Sequence, residues 1–442
     1  NNNSNNGNSD EIEVEGAEEL FKFLTNEIIF NPYKYYQPTI DLFEVYLTLL
    51  EKFSQFIQFL EPIVKQIEDF KLSPKSTTSI SATARNRGIK NLGATCYMNS
   101  TIQQLFNIRE FVRQILEPTV QSDPTAKDWF FELQYDFAKL WLFPSNFINI
   151  SNFVSCWRGY DSEPVDLHRQ QDSAEFLQLL IDRLEEKVPG ISSIFTGKIE
   201  HRTVGVSVEY EKKNYETFVI FPLEVKNLTK LSDSFQSFLQ PDRFECKDEL
   251  GKFDALRYHH IVEAPKILII QLKRFNYNLM TRGREKINSF YQFSLDLDLS
   301  QLMTGNDQQK VNYDLCGVVQ HQGSVDSGHY FSDVLRESGK WLCLNDNKVT
   351  KINGDDLPFE AAGGTEEKTV YDEKTKSSKK ITAEKSTNAY LLFYRLREGD
   401  SKSGSEKEKI VLNSKTMDEL LPDIQKAVFE AVCASPHFFK LV

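Results

Sequence analysis

Apolar residues recur at helical spacing in the first half of the chain and in strand-sized runs in the second. Leu42, Val45, Tyr46 and Leu49 form one stripe and Phe53, Phe56, Ile57 and Leu60 another, which predicts a helical region over 17–70. Met98, Ile102, Leu105 and Phe106 predict a helix that begins at Cys96, and Phe176, Leu177, Leu180, Ile181 and Leu184 predict a second. Beyond Val188 the pattern shortens, and 216–225, 266–275, 312–320, 329–335, 341–344 and 389–395 read as strands. The polar stretches divide the chain. Residues 1–16, Asn-rich and then acidic, predict disorder. Residues 71–85 and 398–410 read as linkers, and 351–387 as a Lys/Glu-rich surface loop inserted in a folded domain of 86–397. A helical extension over 411–442 follows, with its amphipathic part at 416–434.

Composition narrows the function classes. The 442 residues carry 33 Phe and 17 Tyr, enough for real cores. Acidic residues exceed basic ones by 64 to 52, a net charge of −12, which argues against a nucleic-acid partner and suits a basic protein segment. No apolar run is long enough to span a bilayer, so no membrane partner is expected. Six cysteines without a CxxC pair indicate a reducing compartment, expected to be the cytoplasm with the nucleus also open. Asn1 in place of Met, in a polar low-complexity opening, reads as a piece of a longer protein.

The segment 88–107 places Cys96 where a glycine-containing loop enters a helix. Unpaired N–H groups and the helix dipole there favour a thiolate and leave the Cys96 amide free to face a developing oxyanion. Asn91, across the Gly93 turn, is a candidate second oxyanion donor. His329 follows a small-residue loop at 321–328 and opens a strand, with Gly328 before it allowing close approach of backbone and substrate. An imidazole there is a candidate base, and it needs a third group on its Nδ1–H to fix tautomer and ring plane. Asp172 and Glu175 stand in the first turn of the second predicted helix, where acids also complement the helix dipole.

Taken in order, these segments resemble the ubiquitin-specific protease family. Asn91-x-Gly93-Ala94-Thr95-Cys96-Tyr97-Met98-Asn99-Ser100 resembles its cysteine signature, and Gln170-Gln171-Asp172-Ser173-Ala174-Glu175-Phe176-Leu177 its second block. Leu272-Lys273-Arg274-Phe275, Lys286-Ile287-Asn288, Gly328-His329-Tyr330, Trp341, Asn345-Asp346 and 388–394 complete the series. The resemblance implies an α+β, papain-like cysteine peptidase with a helical thumb and a β-rich palm and fingers, flanked by helical segments. It implies cleavage after the last glycine of ubiquitin through a Cys96 acyl-enzyme, with ubiquitin and ubiquitinated proteins as partners. The orienter of His329 is then Asn345, with Asp346 as alternative or auxiliary. Asp172 and Glu175 become partners for arginine in ubiquitin's tail, Gln171 and Gly328 join the substrate-binding set, and Tyr330 with the 321–328 loop roofs a narrow channel.

The chain departs from that family in two places. Asn345 stands where Asp is usual, so an amide orients the base without adding charge. The two CxxC pairs of the family's zinc ribbon are missing: 199–210 holds no cysteine, and Cys246 faces Glu249. His201, Cys246, His259 and His260 lack the spacing of a four-ligand site, so neither a metal nor any other cofactor is expected. The flanks, and Phe359 to Gly364 within the insertion, resemble the large fat-facets-type branch, and the flanking helices are candidates for protein partners. Two other functions stay open at this point, a non-catalytic ubiquitin-binding scaffold and a peptidase for a ubiquitin-like modifier.

Overall fold

The computed structural model describes residues 86–116, 128–142, 146–249, 251–278, 280, 282–304, 310–325, 327–372 and 377–397. The expected helices at 17–70 and 411–442, the opening 1–16, the linker at 71–85 and the one at 398–410 lie outside the described residues. One compact unit covers 87–140 and 147–421; residues 86, 141, 142 and 146 group with a second unit whose other residues are not described. No helix among the described residues is long and apolar enough to cross a membrane.

Helices dominate the first part. After a short strand β1 (Gly88–Ile89) come α1 (Cys96–Phe106), α2 (Arg109–Leu116) and α3 (Trp129–Leu142). Strand β2 (Phe147–Ile148) pairs with β1, and α4 (Ser151–Cys156) and α5 (Ser173–Lys187) follow. Both helices predicted from apolar spacing are present, and α5 opens on Asp172 as its N-cap, whose side chain accepts from the amides of Ala174 and Glu175.

Strands β3 (Gly197–Gly205), β4 (Glu211–Phe218), β5 (Ile220–Glu224), β6 (Asp242–Asp248) and β7 (Gly251–Glu263) follow, with helix α6 (Leu231–Leu239) between β5 and β6. The single strand expected at 216–225 is therefore two, because the chain leaves one sheet at Phe218 and enters another at Ile220. Next come β8 (Ile267–Lys273), β9 (Phe275–Asn278), β10 (Gly283–Lys286), β11 (Asp296–Asp298), β12 (Asn312–Gly323), β13 (Gly328–Leu335), β14 (Trp341–Asn345) and β15 (Lys348–Ile352). Helix α7 (Leu357–Glu360), β16 (Thr365–Asp372), β17 (Ser377–Glu384) and β18 (Thr387–Leu396) close the domain.

Two sheets organise these strands. The larger runs β15-β14-β13-β12-β18-β8-β5, with β11 paired to β12, and the smaller runs β4-β3-β7-β6. Strand β8 is buried almost throughout, and its run Ile267-Leu268-Ile269-Ile270 is apolar on both faces, as a central strand requires. The insertion at 351–387 is not the loop expected. It finishes β15, forms α7 and raises the hairpin β16–β17, whose charged residues conceal the alternation. Its Ala361 and Ala362 are fully buried, and the Arg274 guanidinium reaches the carbonyl of Ala362 as well as those of Ala389, Ile287 and Ser289.

Every residue of α1 is buried, polar ones included. Its polar stripe is spent on the backbone of β12 and β13. Gln104 Nε2 donates to the carbonyls of Val318 (3.0 Å) and Asp333 (3.1 Å). Ser332 Oγ donates to the Ser100 carbonyl at 2.7 Å, and Asn107 Nδ2 to those of Cys316 and Leu335 at 3.3 and 3.1 Å. Gly317 has to be glycine, since a Cβ there would lie 1.9 Å from Gln104 Oε1. Replacing Gln104 by Leu keeps most of the volume but strands two carbonyls, so a loss of about 1–3 kcal/mol is expected. Chemical denaturation measures it; a loss below about 0.5 kcal/mol would count against this role.

Candidate active site

The site is assembled where α1 meets the ends of β13 and β14. Cys96 opens α1 and is 3% exposed. The turn before it is built by Asn91, whose Oδ1 accepts from Gly93 N (3.0 Å), Thr95 N (3.4 Å) and Thr95 Oγ1 (3.2 Å). Thr95 makes no side-chain cap to the helix, so the first amides of α1 stay unpaired beside the thiol.

His329 stands one residue into β13, and the Cys96 side chain is the largest single influence on its charge state. Its Nε2 lies 2.7 Å from Asn345 Oδ1, at the end of β14. An amide oxygen only accepts, so Nε2 carries the hydrogen there and Nδ1 is left to Cys96. The ring is thus turned the other way from the sequence expectation, which put the orienter on Nδ1. The bond to Cys96 outweighs burial, and Asn345 and Asp346 add to it, raising the His329 pKa to about 9.

Asp346 is the fastener of the site. Its Oδ2 accepts from Asn91 Nδ2 (2.9 Å), its Oδ1 from Asn99 Nδ2 (2.8 Å), and its backbone carbonyl from Ile89 N (2.8 Å). Oδ2 is also 3.7 Å from His329 Nε2, so Asn345 touches the ring and Asp346 supplies charge at the next remove. These contacts hold Asp346 at φ 51°, a region that Asp tolerates better than most residues.

Sequence reasoning missed Gln170. It had singled out Gln171, which is exposed, whereas Gln170 Nε2 lies 3.7 Å from Cys96 Sγ and its Oε1 accepts from Gly328 N at 2.7 Å. One side chain therefore joins the thiol to the strand that carries the base. Two adjacent glutamines in one motif gave no periodic cue to which would turn inward.

Tyr330 is not a roof. It is 3% exposed, packs on His321 at 4.6 Å and on Tyr390 at 5.8 Å between ring centroids, and burial raises its pKa well above the usual phenol range. The expected 321–328 loop is also shorter, since β12 runs to Gly323 and β13 starts at Gly328. His321 is part of the support. It is buried, and desolvation, with Lys286 and His329 nearby, lowers its pKa to about 3. A Cβ on Gly328 would sit 2.1 Å from His321 Nε2, so the glycine makes room for that ring.

Asp172 and Glu175 are placed apart in kind. Asp172 caps α5 and accepts from the Tyr390 hydroxyl at 2.5 Å, while Glu175 is exposed. Burial raises the pKa of both, the Asp172 charge adds to the rise at Glu175, and the Arg284 guanidinium opposes it at both. The charge of Arg284 on β10 thus acts on both acids.

A thiol at a helix start, acting on an imidazole whose other nitrogen is held by an asparagine, defines a cysteine peptidase of the papain-like type. The family model for ubiquitin carboxyl-terminal hydrolase matches residues 87–394, and the chain belongs to that family. It is 28% identical over 363 residues to human ubiquitin carboxyl-terminal hydrolase 34, covering 74% of this chain and 10% of that protein. With Arabidopsis thaliana ubiquitin C-terminal hydrolase 12 it shares 30% over 352 residues, 74% of this chain and 30% of the relative. Fission-yeast ubiquitin carboxyl-terminal hydrolase 5 gives 32% over 292 residues, 63% and 26% respectively. The chain thus spans between a tenth and a third of the length of these relatives. Among solved structures, the SAGA Ubp8/Sgf11/Sus1/Sgf73 DUB module bound to ubiquitin aldehyde shares the fold, with a TM-score of 0.60 at 22% identity over 77% of this chain and 76% of that one.

Lys286 ties together the strand ends next to the base. Its ammonium donates to the carbonyls of His321 (2.8 Å), Gly323 (3.4 Å) and Ser386 (2.6 Å), tying the end of β12 to the residue before β18. Burial and the neighbouring Arg274 push its pKa down to about 7. Lys286→Met should loosen this knot, and amide hydrogen exchange at Gly323 and Gly328 is expected to quicken at least about tenfold, a change of roughly 1.4 kcal/mol in local opening. Unchanged protection there would show that the three carbonyls do without the lysine.

Proposed function

We propose that this chain is a deubiquitinating cysteine peptidase that hydrolyses the bond after the C-terminal glycine of ubiquitin. The observation that carries the proposal is the Cys96–His329–Asn345 alignment within a ubiquitin carboxyl-terminal hydrolase domain. The Cys96 thiolate attacks the glycine carbonyl carbon, and the electron pair moves to oxygen. The Cys96 amide faces that oxyanion, and Asn91, with one amide hydrogen given to Asp346, has a second to add. His329, held protonated against the thiolate, gives its proton to the leaving amine as the C–N bond breaks. It then takes a proton from water, whose oxygen attacks the thioester; the Cys96 thiolate leaves and the acid product is released, returning the site to its starting state.

The acid pair supports the choice of substrate. Glu175 is exposed and free to meet an arginine of an extended basic tail, and Asp172 lies one turn away with its carboxylate pinned by Tyr390. Gly328 and Gln171 line the approach, and Tyr330 acts as the packing behind it.

Incubation with ubiquitin bearing a C-terminal electrophile should give a covalent adduct that Cys96→Ala abolishes. Binding without an adduct would support a scaffold, and an adduct only with another modifier's probe would redirect the substrate. Glu175→Ala is expected to raise KM with kcat little changed. Asp172→Ala should in addition cost about 1 kcal/mol of stability as a lost helix cap.

The pH profile carries a second test. The His329 pKa is raised chiefly by hydrogen bonding with the Cys96 side chain, so the protonated imidazole is retained below about 9 and lost as pH rises through that value. The alkaline limb of kcat/KM is expected near 9; a limb near 6.5, the value of a free imidazole, would sink this account of the ion pair.

A further inference from the structure

The four-stranded sheet carries a row of titratable side chains that the reaction does not use. It takes one residue from each strand: Glu216 on β4, His201 on β3, His259 on β7 and Asp242 on β6. His201 and His259 are direct register partners, with ring centroids 4.9 Å apart and rings nearly perpendicular at 81°. His201 Nε2 is 3.0 Å from Glu216 Oε2, and His259 Nε2 is 3.0 Å from Asp242 Oδ2. Between the rings, the two Nδ1 atoms face each other at 2.7 Å.

Hydrogen accounting makes this arrangement informative. An ionised carboxylate accepts and does not donate, so each Nε2 carries the hydrogen. That tautomer leaves a lone pair on each Nδ1. Two lone pairs at this distance repel unless something positive lies between them. The carboxylates also supply the outer support that fixes the tautomer and ring plane of metal-bound histidines. With both rings neutral the row carries two negative charges, which one divalent ion neutralises and one proton does not.

We propose that His201 and His259 bind one divalent transition-metal ion of the borderline class, such as zinc or copper, through their Nδ1 atoms. Zinc–nitrogen bonds of about 2.0–2.1 Å in tetrahedral geometry need the two nitrogens roughly 3.3 Å apart, so the rings part by roughly 0.6 Å. The His side chains are 22% and 15% exposed, so water reaches the open side, while Phe238 of α6 packs on the His259 ring at 5.6 Å. Among the described residues no cluster of three or more metal-ligating side chains occurs, so water completes the coordination and the ion is exchangeable. The site uses neither Cys246 nor the cysteine pairs that the chain lacks.

The test is calorimetric titration of zinc chloride into the chelator-treated 442-residue chain carrying Cys96→Ala, which removes the catalytic thiol. One saturable equivalent is expected, lost in His201→Ala and in His259→Ala and kept in His260→Ala. Glu216→Gln, at a side chain 69% exposed and safe for folding, should weaken binding about tenfold or more. Circular dichroism of each variant separates loss of the site from loss of the fold. No saturable uptake, uptake that survives both histidine variants, or a shared proton alone seen by imidazole NMR would each overturn the proposal.

Discussion

The polar stripe of α1 is the constraint on which the rest depends. A helix that starts with a reactive thiol must lie at a fixed distance from a strand that starts with its base. Apolar packing alone permits sliding, because one methyl group replaces another at little cost. Hydrogen bonds from Gln104, Asn107 and Ser332 to named partners do not, since any shift leaves buried carbonyls without donors. Register between α1 and β13 is therefore set by polar groups inside an otherwise apolar interface.

The same logic recurs nearer the chemistry. Asp346 joins the loop before Cys96, the first turns of α1 and the strand pair that ends at Asn345. Gln170 joins the thiol to β13, and Lys286 closes the bottom of the β12–β13 turn. Each of these side chains spans segments that apolar contacts hold only loosely. The amide at Asn345 is tolerable in this setting, because Asp346 brings a carboxylate to within 3.7 Å of the same imidazole nitrogen.

Much of this was legible in the sequence. The helices at Cys96 and Phe176 announced themselves by spacing, and the strands of the larger sheet by apolar runs, because one face or both are buried. Cys96 and His329 were found by motif, and the structure brings them together. What escaped was mostly polar and buried. Gln104, buried, and Gln170, half-buried, carry no periodic signal, and a glutamine turned inward looks in sequence like a surface one. The β16–β17 hairpin escaped for the opposite reason, since its sequence is rich in charged and polar residues and shows no alternation. The ring orientation of His329 depends on which strand end lies behind it, and no linear pattern encodes that.

The contacts that complete the site are far apart along the chain: Asn91 meets Asp346 across 255 residues. At the pace of synthesis, roughly 5–20 residues per second, the thiol segment leaves the ribosome on the order of ten seconds to a minute before its partners. Through that interval the nascent chain holds a cysteine with no base, no orienter and no fixed oxyanion donors. The ordering of segments thus acts as an intrinsic timer, and hydrolytic competence arrives only once the last strands have been made.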